Sequence, residues 1–280
     1  PPSRQPNADH ALRWPFGTQT ALAVWRALYF TPGVYLADTA KPASWNRGAY
    51  LVRGLGHCGA CHTPRNSLGA AKSGLDLAGG MMPMQNGYAP SLRSPLEAGV
   101  SDGNAQHVTA LLKTGLSPHG SATGPMAEVV LNSTQYLSNS DVSAMTVYLK
   151  SLASPALQDA GPVPRDEASR PLPGNGAKLY ETHCVQCHGA QGEGINGAYP
   201  PLAHNRAVTL VDTSNLVQML LFGGYAPATA GNPRPFGMPP FVLKLNDKDT
   251  AAVLTYIRNA WGNRAPQVTE LNVNRARGQP

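Results

Sequence analysis

The sequence predicts an all-α protein made of two tandem domains joined by a Pro-rich linker. A C-x-x-C-H motif occurs twice, at residues 58–62 and 184–188. Each motif is followed later by a helical pattern with a polar N-cap and acidic residues in its first turn, at residues 141–149 and 246–258. Between the two repeats, residues 154–173 are rich in Pro, Ala and charged residues and have little periodicity, which is typical of a linker.

The spacing within each motif suits covalent attachment of haem c. Two thiols separated by two residues on a helical turn can form thioethers at one edge of a porphyrin, and the adjacent imidazole can ligate the iron. The attachment residues would be Cys58, Cys61, His62, Cys184, Cys187 and His188. Zinc sites and redox-active disulfides also use C-x-x-C, but neither explains why His directly follows both pairs. We therefore expect two covalently attached haem c groups.

Composition narrows the classes of function. A chain of 280 residues with 42% hydrophobic content can form about two domains with their own cores. The formal charge is +6, but the basic residues are scattered and not interleaved with aromatics, so we do not expect nucleic-acid binding. No window approaches the roughly 18 apolar residues of a membrane span, so membrane association would need parts or partners not evident in this chain.

The location follows from the attachment chemistry. The sequence begins at Pro1 without a signal peptide. Because haem c is normally attached outside the cytoplasmic membrane, we expect a periplasmic protein, at the periplasmic face of the inner membrane if it associates there. A leader would then have been removed or would lie outside this sequence.

Residues 1–42 contain no cysteine and are predicted to form a connector with one helix over residues 21–30, ended by Pro32 and Gly33. Apolar positions nearly encircle this helix, so we expect it to be buried, packed on the first haem domain. An isolated terminal helix is the alternative. The remaining boundaries are 43–153 for the first domain, 154–173 for the linker, 174–262 for the second domain and 263–280 for a polar tail.

The iron ligand opposite each histidine decides between electron transfer and reaction with small molecules. Met238 lies in a Pro/Gly-rich loop shortly before the second closing helix, and Met126 has the matching place in the first domain. The other candidates are Met81, Met82 and Met84, which precede the Pro-x-Leu loop of the first domain at residues 90–92, and His107, His119 and His204. A thioether favours Fe(II), raises the potential and closes the coordination sphere, which predicts a one-electron relay.

The order of elements in both halves resembles the class I cytochrome c fold: leading helix, C-x-x-C-H, Pro-x-Leu loop, middle helix, Met-bearing loop and closing helix. In that fold the leading and closing helices cross, and the carbonyl of a loop proline accepts a hydrogen bond from the proximal histidine. The resemblance therefore implies that Pro90 orients His62 and that Pro200 orients His188.

Residues 45–66 resemble the multihaem cytochrome c subunit of bacterial membrane-bound dehydrogenases for alcohols, gluconate, sorbitol or aldehydes. The likeness extends to residues 126–130 and 14–16 and covers nearly the whole chain. It implies a dehydrogenase catalytic subunit as electron donor and a quinone or another cytochrome as acceptor. Such subunits usually carry three haems, so we expect this chain to lack the first haem domain, as a fragment or as a two-haem variant.

Together these inferences predict a dihaem c-type cytochrome that passes single electrons from a dehydrogenase subunit to the respiratory chain and has no catalytic site of its own. Arg65, just after the first motif, is expected to pair with a haem propionate. One alternative is a dihaem oxidoreductase of the peroxidase or thiosulfate dehydrogenase type, with one open iron site. Another is a zinc-stabilised binding module, which would be colourless.

Overall fold

The structure is a computed structural model that describes residues 11–82, 85–100, 103–152 and 175–278. The chain divides into two compact units, Pro1–Ala37 and Asp38–Pro280. The predicted linker and Met84 lie outside the described residues. Within the second unit we call residues 38–152 the first half and residues 175–278 the second half.

The first unit contains helix α1, at Gln19–Tyr29. It begins at Thr18, whose hydroxyl accepts a hydrogen bond from the Ala21 amide at 3.2 Å. None of its residues is buried, and large apolar side chains such as Leu28 remain exposed. The prediction that this helix is buried does not hold for the structure, because an apolar pattern around the whole helix does not select one face for packing.

The first half of the second unit is helical with two short β-ladders. Its helices are α2 (Ala43–Tyr50), a π-helical turn (Leu51–Leu55), α3 (Gly59–His62), α4 (Ala105–Thr114), α5 (Pro125–Asn132), a 3-10 turn (Thr134–Tyr136) and α6 (Asn139–Lys150). Its strands are β1 (Gly80–Met81), β2 (Tyr88–Ala89), β3 (Leu116–Ser117) and β4 (Gly120–Ser121), with β1 antiparallel to β2 and β3 antiparallel to β4. Helix α4 has the place of the middle helix in the order that the class I resemblance implies.

The second half repeats this order with one β-ladder and an additional helix. Its elements are α7 (Gly176–His183), α8 (Val185–His188), α9 (Arg206–Thr209), α10 (Ser214–Phe222), β5 (Gly224–Tyr225), β6 (Gly237–Met238), α11 (Asp247–Ile257) and α12 (Glu270–Arg277). The predicted all-α class is confirmed, since each strand in the described ranges has only two residues. Within these ranges, no helix combines the length and the apolar character needed to cross a bilayer.

In each half the leading helix crosses the closing helix at a glycine. A Cβ atom on Gly48 of α2 would lie 2.0 Å from the carbonyl oxygen of Ala144 in α6, and one on Gly176 of α7 would lie 2.5 Å from that of Ala252 in α11. The helices approach this closely because glycine has no side chain at the crossing. Since each leading helix runs toward a C-x-x-C-H motif, the two crossings fix the direction from which the chain enters each motif.

Each half has its own apolar core around this crossing. The first core includes Val52, Val142, Met145 and Tyr148. The second core includes Tyr180, Val217, Leu221, Val253 and Leu254. Side chains from the leading, middle and closing helices meet in both cores, so the interior that surrounds each motif is built mainly from helices.

The closing helices begin at polar caps, as their patterns predict. Ser138 caps α6 by accepting from the Asp141 amide at 3.1 Å, so the cap precedes both residues that the pattern suggests for this role, Asn139 and Ser140. Asn246 caps α11 by accepting from the Asp249 amide at 2.8 Å. Both helices carry an acid in the first turn, where it interacts favourably with the helix dipole.

Residues 263–280 were predicted to form a polar tail, and this is wrong for the described part, which contains helix α12. Thr269 and Asn272 form a capping box at its start. Val273 and Ala276 are buried against the second core. The charged and amide side chains of this segment made it read as polar, but two small apolar residues at helical spacing are enough to dock one face.

Two candidate haem-attachment sites

The first motif follows a break in the leading helix. The π-helical turn ends with the Gly56 amide bonded to the Leu51 carbonyl at 2.7 Å, and His57 has a φ of +46°. Helix α3 then begins after Cys58, and the His62 amide bonds to the Cys58 carbonyl at 2.9 Å. His62 therefore lies one helical turn beyond the first cysteine of its motif.

The second motif forms the same helical turn, but it follows its leading helix directly, without a π-helical turn. Helix α7 ends at Cys184, α8 follows directly, and the His188 amide bonds to the Cys184 carbonyl at 2.9 Å. Gly189 ends α8 with a φ of +76°, and its carbonyl accepts the Tyr180 hydroxyl at 2.7 Å. The C-terminal end of α8 is thus hydrogen-bonded to the leading helix α7.

Both histidine rings are oriented by a proline carbonyl. His62 Nδ1 lies 2.7 Å from the Pro90 oxygen, and His188 Nδ1 lies 3.2 Å from the Pro200 oxygen. A carbonyl oxygen can only accept, so Nδ1 must carry the proton in both rings. The Nε2 lone pair is then free to bind a metal, and the hydrogen bond raises its basicity. These are the two contacts that the class I resemblance implies.

Burial sets the protonation of these groups. It lowers the pKa of His62 and His188, and the bond to the proline carbonyl opposes this shift. It also raises the pKa of Cys58 and Cys184 to about 11. At neutral pH both imidazoles and both thiols are therefore uncharged, which is the state suited to an apolar site.

The described residues contain neither a disulfide nor a group of three possible metal ligands at the C-x-x-C pairs. All four cysteines are free, so neither pair is a disulfide in the structure. Across the described part of the chain, no three His, Cys, Asp or Glu side chains are grouped so that they could hold a metal ion. A structural zinc site needs four donors around one point. The two thiols and the imidazole of each motif instead suit separate roles, as tethers and as a ligand.

The candidate methionines lie in the same cores as the first cysteine of each motif. Met126, in the first turn of α5, packs with Cys58 on the first core. Met238, in β6, packs on the second core, to which Cys184 belongs. Both methionines are partly buried. In each half the first thiol and the thioether thus pack on one apolar core, while the second cysteine is more exposed, and the donor types of each half fit haem c.

The other distal candidates lie in different surroundings. Met81 is 52% exposed on β1. The rings of His107 and His119 meet edge to face with their centroids 5.2 Å apart, and His119 is exposed. His204 has a φ of +55° in the loop after Pro200. Met126 and Met238 remain the better candidates because they pack on the cores.

Arg65 is bonded within the first motif's own loop. Its Nη1 donates to the Gly69 carbonyl at 2.6 Å, and its Nη2 donates to the Ala60 carbonyl at 2.7 Å. Its Nε is buried and has no hydrogen-bond partner in the described structure. The guanidinium therefore lies beside the attachment turn, with its Nε–H among the donors that have no acceptor in the described structure.

Sequence reasoning missed the crossing glycines and a contact between the halves. Gly48 and Gly176 could have been found by aligning the two halves at their closing-helix tyrosines, Tyr148 and Tyr256, which pack at the crossings. The contact made by Asn215 with the backbone of Tyr88 leaves no signal in the sequence, because the two residues belong to different halves.

The fold and the two sites define a c-type cytochrome, and comparison with known proteins agrees. The family model for cytochrome c matches residues 174–261, which contain the second C-x-x-C-H motif. Cytochrome c-552 of Thermus thermophilus is 36% identical over 92 residues, which cover 32% of this chain and 70% of that protein. The chain belongs to the cytochrome c family, and this membership supports covalently attached haem c as its cofactor.

More specifically, the chain resembles the cytochrome c subunits of dehydrogenases over most of its length. The cytochrome c subunit of alcohol dehydrogenase (quinone) from Gluconobacter oxydans is 37% identical over 91% of this chain and 56% of that subunit. The gluconate 2-dehydrogenase cytochrome c subunit of Pantoea cypripedii is 33% identical over 94% of this chain and 63% of that subunit. The chain thus spans roughly three fifths of the relatives it matches.

Proposed function

We propose that this chain is a dihaem electron-transfer cytochrome with residues 43–153 and 174–262 as its two haem domains. One haem c is attached to Cys58 and Cys61, and the other to Cys184 and Cys187. The proximal iron ligands are His62 and His188, oriented by Pro90 and Pro200, and the distal ligands are Met126 and Met238. Bound haem supplies one-electron redox chemistry, and the protein supplies tethers, fixed ligands and an apolar surround.

One observation carries the proposal: both halves show the same bond from histidine Nδ1 to a proline carbonyl. This bond leaves Nε2 as a ligand of fixed direction in each half. The thioether sulfur of each half packs on the same core as the first thiol. A ligand set of imidazole and thioether leaves no position for a substrate, which supports a relay over a catalyst.

The relatives support the proposed electron donor. Because the similar chains are cytochrome c subunits of quinone alcohol and gluconate dehydrogenases, we propose a dehydrogenase catalytic subunit as donor. The acceptor is a quinone or another cytochrome of the respiratory chain, and the location is the periplasm. Arg65 pairs with a propionate of the first haem through its available Nε.

Haem content tests the attachment. The protein matured in a host that attaches haem c should carry two haems per chain by intact mass and by pyridine haemochrome absorbance. The double variants C58A/C61A and C184A/C187A should each retain one. A colourless wild-type protein, or one with a single haem, would refute the dihaem assignment.

Spectroscopy tests the ligands. The oxidised protein should be low-spin, with a sulfur-to-iron charge-transfer band at the red end of the visible spectrum. Met126→Ala and Met238→Ala should each remove part of this band, whereas the controls Met145→Leu and Met219→Leu, which lie within helices α6 and α10, should retain it. A high-spin signal or ready cyanide binding in the wild-type protein would instead support the open-iron oxidoreductase.

Electron transfer is tested by anaerobic stopped-flow mixing. The oxidised protein should be reduced by a substrate-reduced quinone-type alcohol or gluconate dehydrogenase whose own cytochrome subunit has been removed. The reduced protein should then be oxidised by a short-chain ubiquinone or by a soluble oxidised cytochrome. Absence of reduction by either dehydrogenase would remove the proposed donor, and comparison of the two acceptors would identify the next carrier.

A further inference from the structure

Helix α10 of the second half contacts the first half at the segment that precedes Pro90. Asn215 Oδ1 accepts a hydrogen bond from the Tyr88 amide at 2.9 Å, and its Nδ2 donates to the Tyr88 carbonyl at 2.6 Å. One turn later, Gln218 Nε2 donates to the Asn86 carbonyl at 2.7 Å. The Asn215 amide thus binds both polar groups of one peptide residue, as a neighbouring strand would.

Tyr88 is closely linked to the proximal ligand of the first haem. It begins strand β2, two residues before Pro90, whose carbonyl orients His62. On the other side of Pro90, the Ser91 amide donates to Glu97 Oε2 at 2.7 Å, and the Tyr88 hydroxyl donates to the same oxygen at 2.9 Å. The position of the Pro90 carbonyl is therefore fixed by Glu97 from its own half and by Asn215 from the other half.

The same helix also supports the segment that carries Met238. Gly223 directly follows α10, and a Cβ atom there would lie 2.2 Å from the Met238 carbonyl oxygen. Gly224 pairs with Met238 in the ladder of β5 and β6. After Met238, the Phe241 amide bonds to the Leu220 carbonyl at 3.1 Å. Helix α10 therefore contacts both the segment that orients His62 and the segment that presents Met238.

The first half in turn contacts the hairpin that presents Met238. The loop between β5 and β6 reaches the end of α4, where the Thr229 hydroxyl donates to the Thr114 carbonyl at 3.0 Å. Gly115, which ends α4 with a φ of +79°, lies so close to Pro227 that a Cβ atom would be 2.2 Å from the proline Cγ. Thr229 is buried in this contact. Both halves thus contribute to the ligand segment of the other.

We infer that the interface between the two halves is a shared positioning device for the iron ligands. Asn215 is a positioning residue for His62, acting through Tyr88 and Pro90, and Thr229 is a positioning residue for Met238, acting through the hairpin. The inference rests on the proposed function, since it takes His62 and Met238 as ligands. It assigns a role to residues that contact neither ligand.

The first test is Asn215→Ala, with Asn259→Ala as its matched control. Both asparagines are half-buried in the second half, but the side chain of Asn259, which lies just beyond α11, donates to the Thr255 carbonyl of its own half. Loosening Pro90 makes the His62 imidazole less basic and so favours Fe(II). In a potentiometric titration of the holoprotein, the His62 haem should become easier to reduce by about threefold, or about 28 mV at 59 mV per decade. The His188 haem should not change.

The two titration steps are assigned with Met126→Ala and Met238→Ala, since loss of a thioether lowers the potential of its own haem. Gln218→Ala provides a second interface variant, which should shift the same step in the same direction. If Asn215→Ala and Gln218→Ala leave the His62 haem unchanged, or shift both haems alike, the positioning role of Asn215 is wrong.

The second test is Thr229→Val, with Thr250→Val as control, because Thr250 is buried and its hydroxyl has no hydrogen-bond partner in the described structure. Cyanide can bind the second iron only when the Met238 segment opens. Thr229→Val removes the bond to the Thr114 carbonyl and also the bond that the Thr229 hydroxyl accepts from the Asn232 amide at 3.2 Å. The rate of cyanide binding at the His188 haem should therefore rise by at least about threefold. An unchanged rate, or an equal rise in the control, would overturn this arm.

The outcomes separate the inference from the proposed function. Suppose that the wild-type protein has two low-spin haems and that the interface variants have the same haem potentials and cyanide-binding rates as the wild type. This result refutes the positioning device and leaves the proposed relay intact. A wild-type protein without Met ligation refutes the ligand assignment itself before any interface variant is measured.

Discussion

Gly48 lies against Ala144 with no space for a side chain, since a Cβ atom on Gly48 would be 2.0 Å from the Ala144 carbonyl oxygen. The obstacle is backbone, and the same arrangement recurs where Gly176 meets Ala252 at 2.5 Å. The crossing of leading and closing helices is therefore fixed by a backbone contact in both halves. This contact places each C-x-x-C-H motif.

Replacing a crossing glycine should destabilise its half strongly. Gly48→Ala and Gly176→Ala should each lower the free energy of unfolding by about 3 kcal/mol, the upper end for overpacking, because a carbonyl in a helix cannot move aside. Guanidinium unfolding followed by far-ultraviolet circular dichroism measures the loss. Gly54→Ala is the control, since its Cβ would come no closer than 4.0 Å to Tyr50. Equal stability of the Gly48 and Gly54 variants would contradict the crossing.

Arg258 should be essential to the stability of the second half. Its fully buried guanidinium donates to the carbonyls of Val208, Leu210 and Pro266 at 2.6, 2.8 and 2.9 Å, and burial lowers its pKa to about 10. Arg258→Lys keeps the charge but cannot reach three carbonyls at once, so we expect a loss of about 3 kcal/mol.

Thermal and guanidinium unfolding measure the Arg258 effect, with the exposed Arg234→Lys as a control that should change stability little. The haem potentials of Arg258→Lys should stay near those of the wild type if its role is structural. A variant of wild-type stability would show that the three carbonyls do not depend on the guanidinium.

The docking of α12 should weaken in acid. Asn274 and Arg277 lower the pKa of Asp247 by hydrogen bonds at 3.1 and 2.8 Å. The folded carboxylate therefore binds a proton less readily than the unfolded one, so this contribution is complete above about pH 4, the usual carboxyl pKa, and is lost as the pH falls through the lowered value.

Melting temperatures measured from pH 6 to pH 3 test this prediction. The wild type should exceed Asp247→Asn at the upper end, and the difference should close as the pH falls. Asp249→Asn is a neighbouring control for charge in the first turn of α11. A wild-type advantage that grows toward low pH would have the wrong sign for a lowered carboxyl pKa.

The capping box of α12 should be locally important. Thr269→Ala removes the hydroxyl that accepts from the Asn272 amide at 3.2 Å, which should cost about 1 kcal/mol. Hydrogen exchange of the α12 amides should accelerate accordingly. Thr182→Ala, whose exposed hydroxyl bonds within α7, should leave these amides unaffected. No acceleration in Thr269→Ala would mean that burial of Val273 alone keeps the helix docked.

The sequence predicted well what is encoded locally. The closing helices were predictable because the cap, the acidic first turn and the apolar spacing agree at both places. The anchors of the imidazoles, Pro90 and Pro200, were implied by the class I resemblance. The helix α12 was not predicted, because Val273 and Ala276 are only two apolar residues in a charged segment. Their contribution to docking depends on the surface that they pack against.

Features that depend on contacts between distant segments could not be predicted. Asn215 and Tyr88 lie in different halves, and each alone is an ordinary polar or aromatic residue. The same holds for Arg258, whose acceptors are backbone carbonyls and carry no side-chain signature. The predicted burial of α1 failed for a related reason, since apolar composition does not identify a surface to pack against.

The π-helical turn at Leu51–Leu55 lies in the longer of the two segments that connect a crossing glycine to the first cysteine of its motif. Ten positions separate Gly48 from Cys58, whereas eight separate Gly176 from Cys184. Two extra residues in a regular α-helix would rotate the cysteine by about 200° about the axis. The wider π-helical turn and the positive φ of His57 compensate for this rotation. A variant that keeps the two extra residues but forms a regular α-helix in place of the π-helical turn would therefore point the Cys58 thiol about half a turn away from its present direction, although every motif residue is retained.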